Sequence, residues 1–104
     1  MVIAVFRARI RSESTEEYYA LADEMAEIAR EMPGFRSWKS YFSEDGERVS
    51  IHEWESEDQL RAWREHPEHV RAQERGRLQF YEDYTLYVCE NPRESRFRRP
   101  EQGS

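Results

Sequence analysis

The sequence predicts a single α+β domain: a four-stranded antiparallel sheet with its helices on one face. Three observations lead there. Several runs alternate apolar and polar residues with the period of a half-buried strand. Two stretches repeat apolar residues every three or four positions and open on capping signals. The segments follow one another as β-α-β-β-α-β, the split arrangement of ferredoxin-like domains.

The first strand is predicted over Val2 to Ile10. Val2, Ala4, Phe6, Ala8 and Ile10 share one face, and Ile3 and Val5 lie on the other. Both faces are apolar at the start, so cover is expected on both sides. Ser14-Thr15-Glu16-Glu17 fits a capping box, and Tyr18, Leu21, Ala22, Met25, Ile28, Ala29 and Met32 mark one helix face. Pro33-Gly34 ends that helix. Phe35 to Phe42 and Arg48 to Glu55 read as strands joined by a hairpin at Glu44-Asp45-Gly46-Glu47. Ser56-Glu57-Asp58-Gln59 is a second capping box, opening a helix that buries Leu60 and Trp63. Pro67 predicts a break near His66, a second helical piece from Glu68 to Arg75, and closure at Gly76. Gln79 to Glu90 reads as the last strand, ended by Asn91-Pro92. The domain therefore spans residues 1–90, and the charged tail 91–104 is expected to be disordered.

Composition narrows the function. Of 104 residues, 37% are charged and 38% apolar, yet 13% are aromatic. The large rings supply much burial per residue, which argues against a disordered chain. The net charge is −6, and four arginines against two glutamates over 91–104 leave −8 on residues 1–90. An acidic body repels phosphate backbones, so nucleic acid is not an expected partner. No apolar run reaches the ~18 residues of a membrane span. The N-terminus lacks the basic and apolar regions of a signal peptide. The single cysteine, Cys89, suits a reducing compartment, and a cytoplasmic location is expected. One sheet face would be left bare and apolar, so two copies are expected to pack sheet to sheet as a homodimer.

Three blocks of sequence carry a resemblance. They are Met32-Pro33-Gly34-Phe35; Trp54-Glu55-Ser56-Glu57 with Leu60-Arg61-Ala62-Trp63; and His66-Pro67-Glu68-His69 with Ala72-Gln73-Glu74-Arg75-Gly76-Arg77. In this order and spacing they resemble the antibiotic-biosynthesis monooxygenase domain of the dimeric α/β-barrel superfamily, over about residues 1–90. The resemblance implies a cavity between sheet and helices. Some members of that family oxidise quinols or phenolic polyketides with O2 and no cofactor, some degrade haem, and many have no assigned reaction. The haem-degrading branch relies on an Asn on the first strand, a Trp on the second helix and an axial His ten residues later. These positions fall on Arg7, Trp63 and Gln73. Only Trp63 matches, and an amide is a poor iron ligand beside an imidazole, so no cofactor is expected and haem binding stands as a third, disfavoured reading.

The candidate catalytic residues are His69 as general base, Arg7 as a cation for an anionic substrate, and Trp63 as a ring platform. Arg7 could instead pair with a carboxylate such as Glu53. Trp38, His52, His66 and Gln73 are candidate substrate-binding residues for a small aromatic or hydrophobic ligand. His66 and His69 are spaced for a metal on one helix face, but Pro67 between them disrupts that geometry, and no metal site is expected. Trp54 is assigned to packing, Tyr81, Tyr84 and Tyr87 to packing or an interface, and Cys89 to filling. The alternative to an oxygenase is a non-catalytic dimer that holds a hydrophobic ligand in the same cavity.

Overall fold

A computed structural model describes residues 1–101. Its strands are β1 (Val2–Ile10), β2 (Phe35–Phe42), β3 (Arg48–Trp54) and β4 (Tyr81–Glu90). They form one antiparallel sheet in the order β2-β3-β1-β4. The helices are α1 (Thr15–Arg30), α2 (Glu57–Arg64) and α3 (Pro67–Arg75). This is the ferredoxin-like α+β order expected from the sequence. No helix among the described residues is long and apolar enough to cross a membrane.

Alternation along the strands decides which residues meet the helices. Val2, Ala4 and Ala8 of β1 are buried, as are Ser50, His52 and Trp54 of β3. Met25 and Ala29 of α1 and Leu60 and Trp63 of α2 complete that core. Trp54 and Trp63 are fully buried, each removing enough apolar surface to contribute about 4 kcal/mol. The opposite face carries Ile3, Val5, Val49, Ile51 and Tyr87, and there Ile51 is 36% and Tyr87 52% exposed.

The helix starts differ from one another. Ser56 caps α2 as expected, its Oγ accepting from the Gln59 N–H at 3.2 Å. Ser14 does not cap α1. A 3₁₀ turn over Ser12–Ser14 precedes the helix, and the Ser14 hydroxyl donates to the Gln79 carbonyl at 3.1 Å. The hydroxyl donates to a tertiary carbonyl instead of accepting from a local N–H. Between α1 and β2, Gly34 has φ +84°, a left-handed turn that a side chain would strain.

Gly76 is the C-cap of α3, as expected, but without a left-handed turn. Its φ of −59° and ψ of −48° are helical, and the chain continues through a π-helical turn over Gly76–Phe80. Strand β4 therefore begins at Tyr81 rather than Gln79. Glycine is needed there for space: a Cβ would lie 2.3 Å from the Tyr81 ring. At the other end of β4, Asn91 takes φ 47° and its N–H donates to the Met1 carbonyl. Residues 92–101 hold neither helix nor strand. Residues 102–104, the end of the expected tail, lie outside the described residues.

Candidate functional site

A cavity of about 160 Å³ lies between the sheet and the helices. Its size is close to that of the apolar cavities of about 150 Å³ known to take a benzene ring. Five of the seven candidate residues line it: Trp38, His52, Trp63, His69 and Gln73. Strand β3 turns His52 inward, and the register sets Trp38 of β2 directly beside it. Their rings stack with centroids 4.8 Å apart. Across the cavity, His69 of α3 stacks on Trp63 of α2 at 4.2 Å and 11° between planes.

The two imidazoles are in opposite tautomers. The Trp54 indole N–H donates to His52 Nδ1 at 2.9 Å. An indole nitrogen only donates, so the His52 proton sits on Nε2. His69 Nδ1 lies 3.2 Å from the Trp63 carbonyl, which only accepts, so Nδ1 carries the proton and Nε2 holds the lone pair. Gln73 Nε2 donates to the Arg64 carbonyl at 3.0 Å and is 3.3 Å from the same Nδ1, a longer approach than that of the Trp63 carbonyl. One histidine thus offers a donor and the other an acceptor. Burial pushes both imidazoles down to about 4. The His52 shift is deepened by the nearby His69. For His69, the bond to the Trp63 carbonyl opposes the burial, while Arg64 and His66 add to it. Both rings are neutral at neutral pH.

The Trp63 indole N–H is buried with no hydrogen-bond partner among the described residues. An orphaned donor of this kind costs about 1–3 kcal/mol. An acceptor on a bound molecule would remove that cost.

The other two candidates lie elsewhere. Arg7 is on the outer face of β1, where its guanidinium pairs with Glu47 at 3.1 Å. It does not line the cavity, and its carboxylate partner is Glu47 rather than Glu53. His66 caps α3, its Nδ1 accepting from the Glu68 N–H at 3.1 Å. That role occupies its Nδ1, and among the described residues no three His, Cys, Asp or Glu side chains cluster as metal ligands.

Sequence reasoning missed the cations that do line the cavity: Arg48, Arg64 and Arg77. Arg48 shares strand parity with His52, a signal that was available. Arg64 and Arg77 come from the end of α2 and from the π-turn, where no simple period applies. Trp54 was assigned to packing, yet it also orients His52. Tyr81 and Tyr84 line the cavity, whereas Tyr87 and the exposed Cys89 lie with Val5 and Ile3 on the outer face.

The sequence profile of the family described as antibiotic biosynthesis monooxygenase matches residues 1–75. The chain belongs to this family. An uncharacterised protein of Bacillus subtilis (strain 168), YqjZ, is 34% identical over 95 residues, covering 91% of this chain and 83% of its own. Among solved structures, Rv0793 from Mycobacterium tuberculosis superposes with a TM-score of 0.81 at 24% identity, covering 91% of this chain and 98% of that one. SnoaB from Streptomyces nogalater, a cofactor-independent oxygenase, superposes with a TM-score of 0.70 at 20% identity, covering 96% and 97%. Rv0793 and SnoaB share the fold of this chain. The haem-degrading pattern does not fit here. The cavity has room for about one ring rather than a macrocycle, and the Gln73 amide is engaged by the backbone.

Proposed function

We propose that the chain is a cofactor-independent oxygenase that oxidises a small, planar, electron-rich aromatic with O2. The observation that carries this reading is the pair of opposed imidazoles, His69 with a free lone pair and His52 with a free donor, lining one ring-sized cavity. Family membership and the likeness to SnoaB support it.

The chemistry follows from electron counting. O2 is a triplet and reacts sluggishly with closed-shell molecules. A phenolate gives up an electron far more readily than a phenol, so proton removal comes first. A quinol then supplies all four electrons that O2 takes. One oxygen atom enters the ring, giving a hydroxyquinone, and the other leaves as water. No external reductant is consumed.

Magnitudes show what His69 needs. A phenol near pKa ~10 giving its proton to an imidazole at about 4 climbs roughly 8 kcal/mol. The ion pair formed, about 4 Å apart, returns roughly 4 kcal/mol at an effective dielectric near 20. The rest must come from groups that hold the new anion. The His52 N–H, the orphaned Trp63 N–H and the lining guanidiniums are suited to that task. A cavity without convergent polar groups would have favoured the passive ligand-binding alternative. Here donors and an acceptor converge.

The proposal includes a homodimer packed through the outer sheet face, and a reducing cytoplasmic setting that suits the lone Cys89. The test is O2 uptake with a panel of quinols and anthrones. His69→Ala is expected to lower kcat at least about a hundredfold. Uptake unchanged in that variant would sink the role of His69, and no uptake with any member of the panel would sink the quinol reading.

A further inference from the structure

We infer that the Arg48 end of the cavity is a subsite for an anionic group, and that the natural ligand is an aromatic acid lying along β3 with its carboxylate on Arg48. The inference rests on the cavity being the ligand site of the proposed oxygenase.

The charge pattern of the cavity is the starting point. The protein is acidic, yet the cavity lining holds three arginines and no Asp or Glu. Most other arginines of the domain are neutralised: Arg7, Arg9, Arg11, Arg36, Arg61, Arg71 and Arg75 all form ion pairs. Among the described residues 1–90, only Arg30, Arg48, Arg64 and Arg77 form none. Three of those four line this cavity. A low-dielectric cleft lined by one sign of charge concentrates the opposite sign.

Arg48 is the most enclosed of the three. It is half-buried, whereas Arg64 and Arg77 are exposed. Its guanidinium donates to the Tyr18 hydroxyl and, at 3.0 Å, to Ser40 Oγ. It sits 5.1 Å from the centroid of the Tyr18 ring and 5.6 Å from that of Tyr19. None of these partners is a carboxylate, and burial raises the Tyr18 phenol above its ordinary value. The guanidinium is thus braced in place without a counter-charge. A planar fork of this kind matches a carboxylate in two parallel hydrogen bonds.

The spacing gives the ligand its length. Arg48 and His52 point the same way from β3, four residues apart, so their backbones are about 13 Å apart at ~3.3 Å per residue. His69 faces His52 across the cavity. A ligand of one ring, with a hydroxyl at one end and a short unsaturated acid arm at the other, can reach both stations. Its fixed charge then holds the hydroxyl in position against His69 before any proton moves.

The experiment compares two probes by isothermal titration calorimetry. One is 4-hydroxycinnamate, with hydroxyl and carboxylate at opposite ends of the molecule, and the other is the matching 4-hydroxycinnamamide. The wild type is expected to bind the carboxylate about ten- to a hundredfold more tightly than the amide. Arg48→Gln should abolish that preference while amide binding, which also reports an intact fold, persists. Ser40→Glu keeps Arg48 but places an internal carboxylate beside it, and should also abolish the preference. Arg77→Gln, at an exposed position, should leave most of it. Equal affinities in the wild type, or a preference that survives Arg48→Gln and Ser40→Glu, would overturn the subsite while the proposed oxygenase stands. If neither probe binds the wild type at millimolar concentration, the cavity is not the ligand site and both readings fall.

Discussion

Trp54 and Trp63 are fully buried, nearly parallel and 6.3 Å apart, but their N–H groups differ in satisfaction. The Trp54 donor is bonded to His52, and the Trp63 donor has no partner. The same substitution should therefore act unequally at the two sites. Trp54→Phe leaves His52 Nδ1 buried and unpaired, and is expected to cost about 2 kcal/mol in urea unfolding beyond the smaller ring's lost packing. Trp63→Phe removes an orphaned donor, which offsets part of its packing loss, so its stability cost should be the smaller. Its activity should nonetheless fall about tenfold or more, because the donor is suited to the bound oxyanion. If Trp63→Phe lost stability as Trp54→Phe does and kept full activity, the donor would have no functional role. At this scale the sequence was partly legible. His69, His52, Trp38, Trp63 and Gln73 were singled out from residue type and resemblance, and they meet in one cavity. Arg7 was singled out too, although it shares the odd-numbered face of β1 with Ile3 and Val5. Alternation alone already separates it from Phe6 and the cavity.

Elements were read well where the period is regular and less well where tertiary contacts override local signals. The hairpin, the two inner strands and the cap of α2 follow rules of neighbouring residues. The π-turn at Gly76–Phe80 does not, and it leaves the Tyr81 ring packed against Gly76. Gly76→Ala makes this testable. Alanine is the better helix former by about 1 kcal/mol, and the local backbone is helical, so propensity alone predicts a gain. The crowded Cβ predicts a loss of about 1–3 kcal/mol through overpacking. The second effect should win, giving a net drop in stability on urea unfolding and a displaced Tyr81 at the Arg48 end of the cavity. A stabilised variant would mean that the turn relaxes without moving that ring.

Two behaviours belong to the whole molecule. The outer sheet face is apolar around Val5, Val49 and Ile51, which are adjacent across the strands. Light scattering is expected to give twice the monomer mass of 12.7 kDa, and Ile51→Glu should return the monomer by placing a charge in the interface. A wild type of monomer mass would refute the dimer. Acid should also unfold the protein early. An unfolded histidine takes its proton near pH ~6.5, whereas His52 and His69 in the fold do so only at about 4. Between those values the unfolded chain binds more protons, so stability rises with pH. It is complete above pH ~6.5 and falls as pH drops towards ~4, by about 3 kcal/mol for each ring. Urea midpoints measured from pH 7 down to 4.5 should show this loss, and His52→Gln with His69→Gln should flatten it. A wild type equally stable at both ends would show that the rings are not held neutral.

The sequence by itself determined the order of elements, the α+β class, the family resemblance and the acidic balance of the chain. Periodicity, turn chemistry and composition are local properties, and they survive without a fold. Only the tertiary structure decided the tautomers of His52 and His69, the orphaned donor of Trp63 and the unpaired charge of Arg48. Each of these depends on which distant group lies within hydrogen-bond reach, and residues such as Tyr18 and Arg48 become neighbours only when α1 docks on β3.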